Sequence, residues 1–107
     1  MAKYMVTGSY TSEGLKGLLK EGGSGRRKAV ETAVKSMGGH LEAYYFSFGD
    51  NDVVTIVDVP DNVTAAALAI GISSTGTVGT KTTVLLTAEE IDQAAKKTLS
   101  FRAAGQQ

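Results

Sequence analysis

Cysteine is absent from the 107 residues, which removes disulfides, thiolate nucleophiles and cysteine metal sites together. A single histidine excludes any site that needs two. Neither sign of charge is in excess: Lys+Arg and Asp+Glu stand at 11 each, so no global field draws in nucleic acid or an anionic membrane. No apolar run approaches the ~20 residues of a membrane-spanning helix, and the N-terminal residues carry no apolar signal segment. These absences predict a cytoplasmic protein without cofactor or metal, and with neither nucleic acid nor membrane among its partners.

What is present fits one domain of ordinary globular composition, with 42% apolar and 21% charged residues, over residues 1–100, with a flexible tail over 101–107. Lys3 to Tyr10 is rich in β-branched and aromatic residues and reads as a strand. Thr11 or Ser12 can cap a short helix carrying Leu15, Leu18 and Leu19. The run Gly22-Gly23-Ser24-Gly25 interrupts it, because glycine is costly inside a helix. A second helix carries Ala29, Val30, Ala33, Val34 and Met37 on one stripe, and Gly38-Gly39 ends it. His40 to Phe48 and Asp52 to Val59 form a hairpin around Gly49-Asp50-Asn51. An alanine-rich helix from about Val63 to Ile72, capped by Asp61 or Asn62, leads into a strand from Val78 to Leu86. Thr87-Ala88-Glu89-Glu90 has capping-box spacing and begins a helix through about Lys97. The order predicts an α+β, ferredoxin-like βαββαβ fold: a four-stranded antiparallel sheet with helices on one face, and a C-terminal helix added.

A sheet wetted on its second face should alternate apolar and polar residues. The third strand does not: one parity holds Val53, Thr55, Val57 and Val59, the other Asp52, Val54, Ile56 and Asp58. An apolar second face calls for a cover, and the simplest is another copy of the chain. The expectation is a homo-oligomer.

The ordered set Gly22-Gly23-Ser24-Gly25-Arg26-Arg27, Gly38-Gly39, Phe48-Gly49-Asp50-Asn51-Asp52 and Val59-Pro60-Asp61 resembles the GYD domain family of small bacterial and archaeal proteins. That resemblance covers about Tyr4 to Ile91. It implies a dimeric α+β barrel and supplies no reaction. In the family's Gly-x-Tyr-Asp turn, Gly49 and Asp52 match while Asn51 stands in place of the tyrosine. Asn51 suits a tight turn through its tolerance of positive φ.

The stretch Gly22 to Lys28 gathers glycines and cations, but its spacing is not a Walker loop and it follows a helix. Arg26 and Arg27 lie at a helix start, where the dipole disfavours cations and a carboxylate or bound anion offsets them; Ser24, Gly25, Arg26 and Arg27 are therefore the candidate anion-binding residues. His40, Glu42 and Tyr44 alternate, as if sharing a strand face that offers a base, an orienting carboxylate and a proton donor. Asp58 is the odd carboxylate in an apolar strand, and His40, Tyr44 and Asp58 are the candidate catalytic groups. Tyr4, Tyr10, Tyr44 and Tyr45 can line a ligand cavity. Asp50 and Asp52 bracket a turn without the further oxygen ligands that a calcium site needs.

The residues together predict a homo-oligomeric module that binds a small anionic or organic ligand, or a partner, without a recognisable catalytic constellation. Two alternatives stand beside it. One is a cofactor-independent enzyme resembling the monooxygenases and isomerases built on dimeric α+β barrels; the other is a structural role in which Arg26 and Arg27 make inter-subunit contacts.

Overall fold

The structure, a computed structural model, describes residues 1–106; Gln107, the last residue of the expected tail, lies outside the described residues. Strand β1 (Ala2–Tyr10) is followed by α1 (Ser12–Ser36), β2 (His40–Phe46), β3 (Val53–Val59), α2 (Asn62–Ser73), β4 (Val78–Leu85) and α3 (Ala88–Ala95). The strands form one antiparallel sheet in the order β2-β3-β1-β4. The fold is α+β and ferredoxin-like in its element order.

Register assigns the two faces. Tyr4 pairs with Val57 and Val6 with Thr55, and directly opposed residues of an antiparallel pair point to the same side. The even positions of β1 and the odd positions of β3 therefore share the helix face. Val53, Thr55, Val57 and Val59 are all buried there. The core is Tyr4, Val57 and Val59 from the sheet, Val34 from α1 and Ala65 from α2. Fully burying Val34 and Val59 contributes on the order of 1.5–3 kcal/mol each. The Tyr4 hydroxyl has no water to meet and donates to Asn62 Oδ1 at the start of α2.

The glycine run interrupts the helix as expected, but over one residue and not as a loop. Only Gly22 leaves helical geometry, at φ 81° and ψ 166°, and α1 kinks there while Gly23, Ser24 and Gly25 remain helical. Their intrinsic penalty of about 1 kcal/mol per glycine is overridden by the burial of Val34 and the packing of Val30 further along the same segment. Thr11 caps the first turn, accepting from the Gly14 N–H. Its own N–H and hydroxyl donate to Thr77 O and Gly76 O, both at 2.9 Å, which fastens the helix start to the turn before β4. The hairpin is shorter than expected at β2, which stops at Phe46. Ser47 turns its N–H to Asp52 O and its hydroxyl to Asn51 O, closing the turn. Positive φ falls on Gly49 (φ 145°) and not on Asn51, whose tolerance for it is unused.

The expected capping box is present: Glu90 N–H donates to the Thr87 hydroxyl at 3.1 Å and Thr87 N–H to Glu90 Oε1 at 2.9 Å. Yet no residue of α3 is buried, and residues 88–102 are exposed throughout. The radius of gyration is 17.4 Å and the long axis 61 Å, against about 13 Å of gyration for a compact chain of this length. The C-terminal arm stands off the domain. Among the described residues no helix is long and apolar enough to cross a membrane.

Gly14 lies so close to the turn before β4 that a Cβ there would sit 1.9 Å from Thr77 O and 2.8 Å from Tyr10 Cδ1. Gly14→Ala should cost about 1–3 kcal/mol through overpacking, read as a lower urea midpoint at unchanged slope. A Cβ at Gly17 meets nothing within 4 Å, so Gly17→Ala in the same helix should raise stability by up to about 1 kcal/mol.

Candidate functional site

The kink at Gly22 makes Gly23 the start of a second helical segment, and three residues later Arg26 reaches under it toward the sheet. There the ends of β1, β2, β3 and β4 leave a pocket of about 50 Å³. Its polar groups are Arg26, Tyr10 and Tyr44; Val6, Val53 and Val78 supply apolar wall. Three threonines also border it, Thr7, Thr55 and Thr80; the Thr55 hydroxyl donates to Val6 O, and Thr80 shares a 2.9 Å hydrogen bond with Ser73. No carboxylate lines it. Gly8 keeps the space open, since a Cβ there would meet Val53 Cγ1 and Val78 Cγ2 at 2.9 Å.

Each polar group is held in place. Tyr10 ends β1, and Asp52, from the hairpin turn, accepts its backbone N–H at 2.8 Å while the Asp52 N–H donates to Gly8 O at 2.8 Å. Asp52 thus ties the turn to the strand end that carries Tyr10. Arg26 Nη1 donates to Glu21 Oε2 at 3.1 Å, an ion pair that spans the kink. The guanidinium is 27% exposed, its partner 46%. Partial burial pulls the Arg26 pKa down, and Glu21 together with Tyr10 more than offsets this, leaving it above the ordinary value. Burial pushes the Tyr44 hydroxyl well above the usual tyrosine value; Tyr10 beside it acts in the same direction and Arg26 opposes. Tyr44 also meets Phe46 edge to face at 5.4 Å.

The candidates from the sequence divide among three places. Of the anion-binding set, Arg26 enters this pocket, whereas Ser24 and Arg27 line a separate, larger groove of about 540 Å³ between α1 and β2, with Lys28 and Glu42. Gly25 packs on Glu21. The His40–Glu42–Tyr44 row does not share a face. A bulge between Leu41 and Ala43 shifts the register, so His40 opposes Asp58 while Tyr44 opposes Thr55. His40 and Asp58 lie on the open face and Tyr44 on the helix face; period-2 counting fails because the bulge adds one residue to β2. The three catalytic candidates are not brought together. Asp58 turns both carboxylate oxygens to Lys3 Nζ, at 3.0 and 3.2 Å, and Glu42 meets the same ammonium at 3.0 Å. Those carboxylates, Asp58 first, hold Lys3 above its ordinary pKa. Of the four tyrosines, Tyr10 and Tyr44 line the pocket, Tyr4 belongs to the core and Tyr45 is 69% exposed on the open face. Among the described residues no group of three or more His, Asp and Glu side chains can hold a metal ion. Of the positioning residues, Glu21 is absent from the sequence candidates, and Asp52 enters there only as a residue of the turn. Their signals are weak ones: a carboxylate five residues before an arginine across a glycine break, and a turn aspartate.

The raised Tyr44 pKa makes stability fall with alkaline pH. Below about pH 10 both folded and unfolded chains hold the Tyr44 proton, and the contribution is complete. Above that the unfolded chain releases it first, so unfolding gains. Thermal melts from pH 9 to 12 should show Tm dropping less steeply in Tyr44→Phe than in the wild type; parallel curves would refute the buried-phenol geometry.

No curated protein and no solved structure matches the chain. One family model does, that of the GYD domain, and it runs over residues 4–95. It takes in β1 from Tyr4 onward, the other three strands, both helices packed on the sheet and every group of the Arg26 pocket. The chain belongs to the GYD domain family.

Proposed function

We propose that this protein is a homo-oligomeric binding module that holds a small anionic or organic ligand in the pocket at Arg26. The observation that carries this reading is the pocket itself: one partly buried cation and two phenols set into valine walls, with no acidic group among its lining. Such a concave site with a few convergent polar groups is what small-molecule recognition requires. A structural role for Arg26 between subunits has less support, because its carboxylate partner is Glu21 of the same chain. The enzyme alternative loses its trio, since His40 and Asp58 are separated by the sheet from Tyr44.

Self-association rests on uncovered apolar surface. Met5, Val54 and Ile56 are neighbours at the centre of the open face and only half-buried. The outer side of α2 carries Val63 and Ile70, 78% and 69% exposed, on a helix with no charged residue. Leu86, Ile91, Leu99 and Phe101 are exposed along the C-terminal arm. An eight-residue helix without tertiary packing is too short to hold itself in water. A second copy facing the sheet, as in a dimeric α+β barrel, covers the first of these surfaces and brings apolar area for the others. A cytoplasmic location belongs to the same reading.

Native mass spectrometry of the full chain should show an even multiple of one chain's mass, and Ile56→Lys, which puts a charge at the centre of the open face, should reduce it to one. A monomeric wild type, or a variant that keeps its copy number, would overturn the covered-sheet reading.

A further inference from the structure

The chemistry of the pocket lining narrows the ligand class. Arg26 presents five donors in a planar fork and spends one of them, Nη1, on Glu21. The hydroxyls of Tyr10 and Tyr44 converge on the same space, and neither donates a hydrogen bond to a carboxylate. Arg26 carries the formal charge of the pocket, no carboxylate lines it, and the two hydroxyls can each donate as well as accept. The remaining lining includes Val6, Val53, Ile72 and Val78, which offer nothing to a hydrated, multiply charged ion and would leave much of its charge unpaired. A planar oxyanion of single charge matches the fork, since carboxylate and guanidinium can meet through two parallel hydrogen bonds. Size sets a second limit. The pocket volume of about 50 Å³ is about a third of the roughly 150 Å³ apolar cavity that accepts benzene, so it takes only a few non-hydrogen atoms.

We infer that the Arg26 pocket binds a small aliphatic monocarboxylate of about two carbons, its carboxylate on Arg26 between the Tyr10 and Tyr44 hydroxyls and its methyl group against the valines. This rests on the binding-module reading above and names the ligand class of that same site. Glu21 competes for the fork from the solvent side, so the acid enters against an ion pair that already partly neutralises Arg26. Weakening that pair should favour the ligand.

The test is a titration of the full-length protein followed by amide NMR shifts, with sodium acetate, ethanol and inorganic phosphate as probes. Acetate should saturate, with the largest shifts at Gly8, Tyr10, Arg26 and Tyr44. Arg26→Gln should weaken it by about tenfold or more, the loss expected for a charged hydrogen-bonding partner, while Glu21→Gln should tighten it. Tyr44→Phe, which keeps the ring and its packing on Phe46, serves as the second variant and should weaken acetate without affecting the fold seen in the spectrum. Gly8→Ala should abolish binding by filling the space. If ethanol binds as well as acetate and Arg26→Gln changes nothing, the pocket is an apolar binding site and the carboxylate inference fails while the binding reading stands. Phosphate displacing acetate at Arg26 overturns the carboxylate class but keeps an anion site. No shift at the pocket with any probe overturns both.

Discussion

At Gly22 the backbone leaves the helix for a single residue, at φ 81° and ψ 166°, and this break sets the direction in which the rest of α1 crosses the sheet. A straight helix of 25 residues would run about 37 Å, whereas nine-residue β1 spans about 30 Å. The break lets the first segment start against Thr77 while the second lays Val30 and Val34 over the core. Glycine reaches positive φ at no steric cost, so the kink is cheap at this position and would be strained with any side chain. The Glu21–Arg26 pair crosses the break and ties the two segments together. The same turn that makes the fold possible brings Arg26 to the pocket. Architecture and site therefore share one cause.

The second constraint is the bulge in β2. By adding one residue it sends His40 and Glu42 to the open face and keeps Tyr44 and Phe46 under α1. Without it, strand alternation would put Glu42 on the same face as Tyr44. With it, Glu42 is drawn off to Lys3. The pocket lining holds no carboxylate, and that follows from where one unpaired residue sits in an edge strand.

The Gly14→Ala and Gly17→Ala pair shows where the sequence is informative and where it is silent. Two glycines three residues apart look alike in the sequence, yet one is pressed against a backbone oxygen and the other faces open space. Strand parity in β3, the Thr87 capping box and the Asp61 cap were legible, because each depends on a local pattern that packing reinforces. That the glycine run breaks the helix was legible too; that the break is confined to Gly22 was not, since the helicity of the next residues depends on Val30 and Val34 downstream. Nor was the bulge, which leaves no composition signal in His40-Leu41-Glu42-Ala43. The cation at Arg26 was legible as an anion candidate, but its partner Tyr10 comes from a strand end 16 positions earlier and only the sheet brings them together.

The open face adds an argument of its own about how it is covered. Its apolar centre is Met5, Val54 and Ile56, while Lys3, Asp58, Glu42 and His40 gather toward one edge, where β1 begins and β2 begins. Two carboxylates against one ammonium leave an excess negative charge there. Buried in full, that excess would be costly; left at a wet margin, it costs little. A cover centred on Ile56 satisfies both halves of the pattern, with a dry apolar middle and a polar rim, the anatomy of a protein–protein interface. A ligand centred on Lys3 and Asp58 would satisfy neither, since those groups already neutralise one another and the apolar middle would stay in water. On the proposed reading the open face meets another copy of the chain, and the pocket behind the sheet a small molecule.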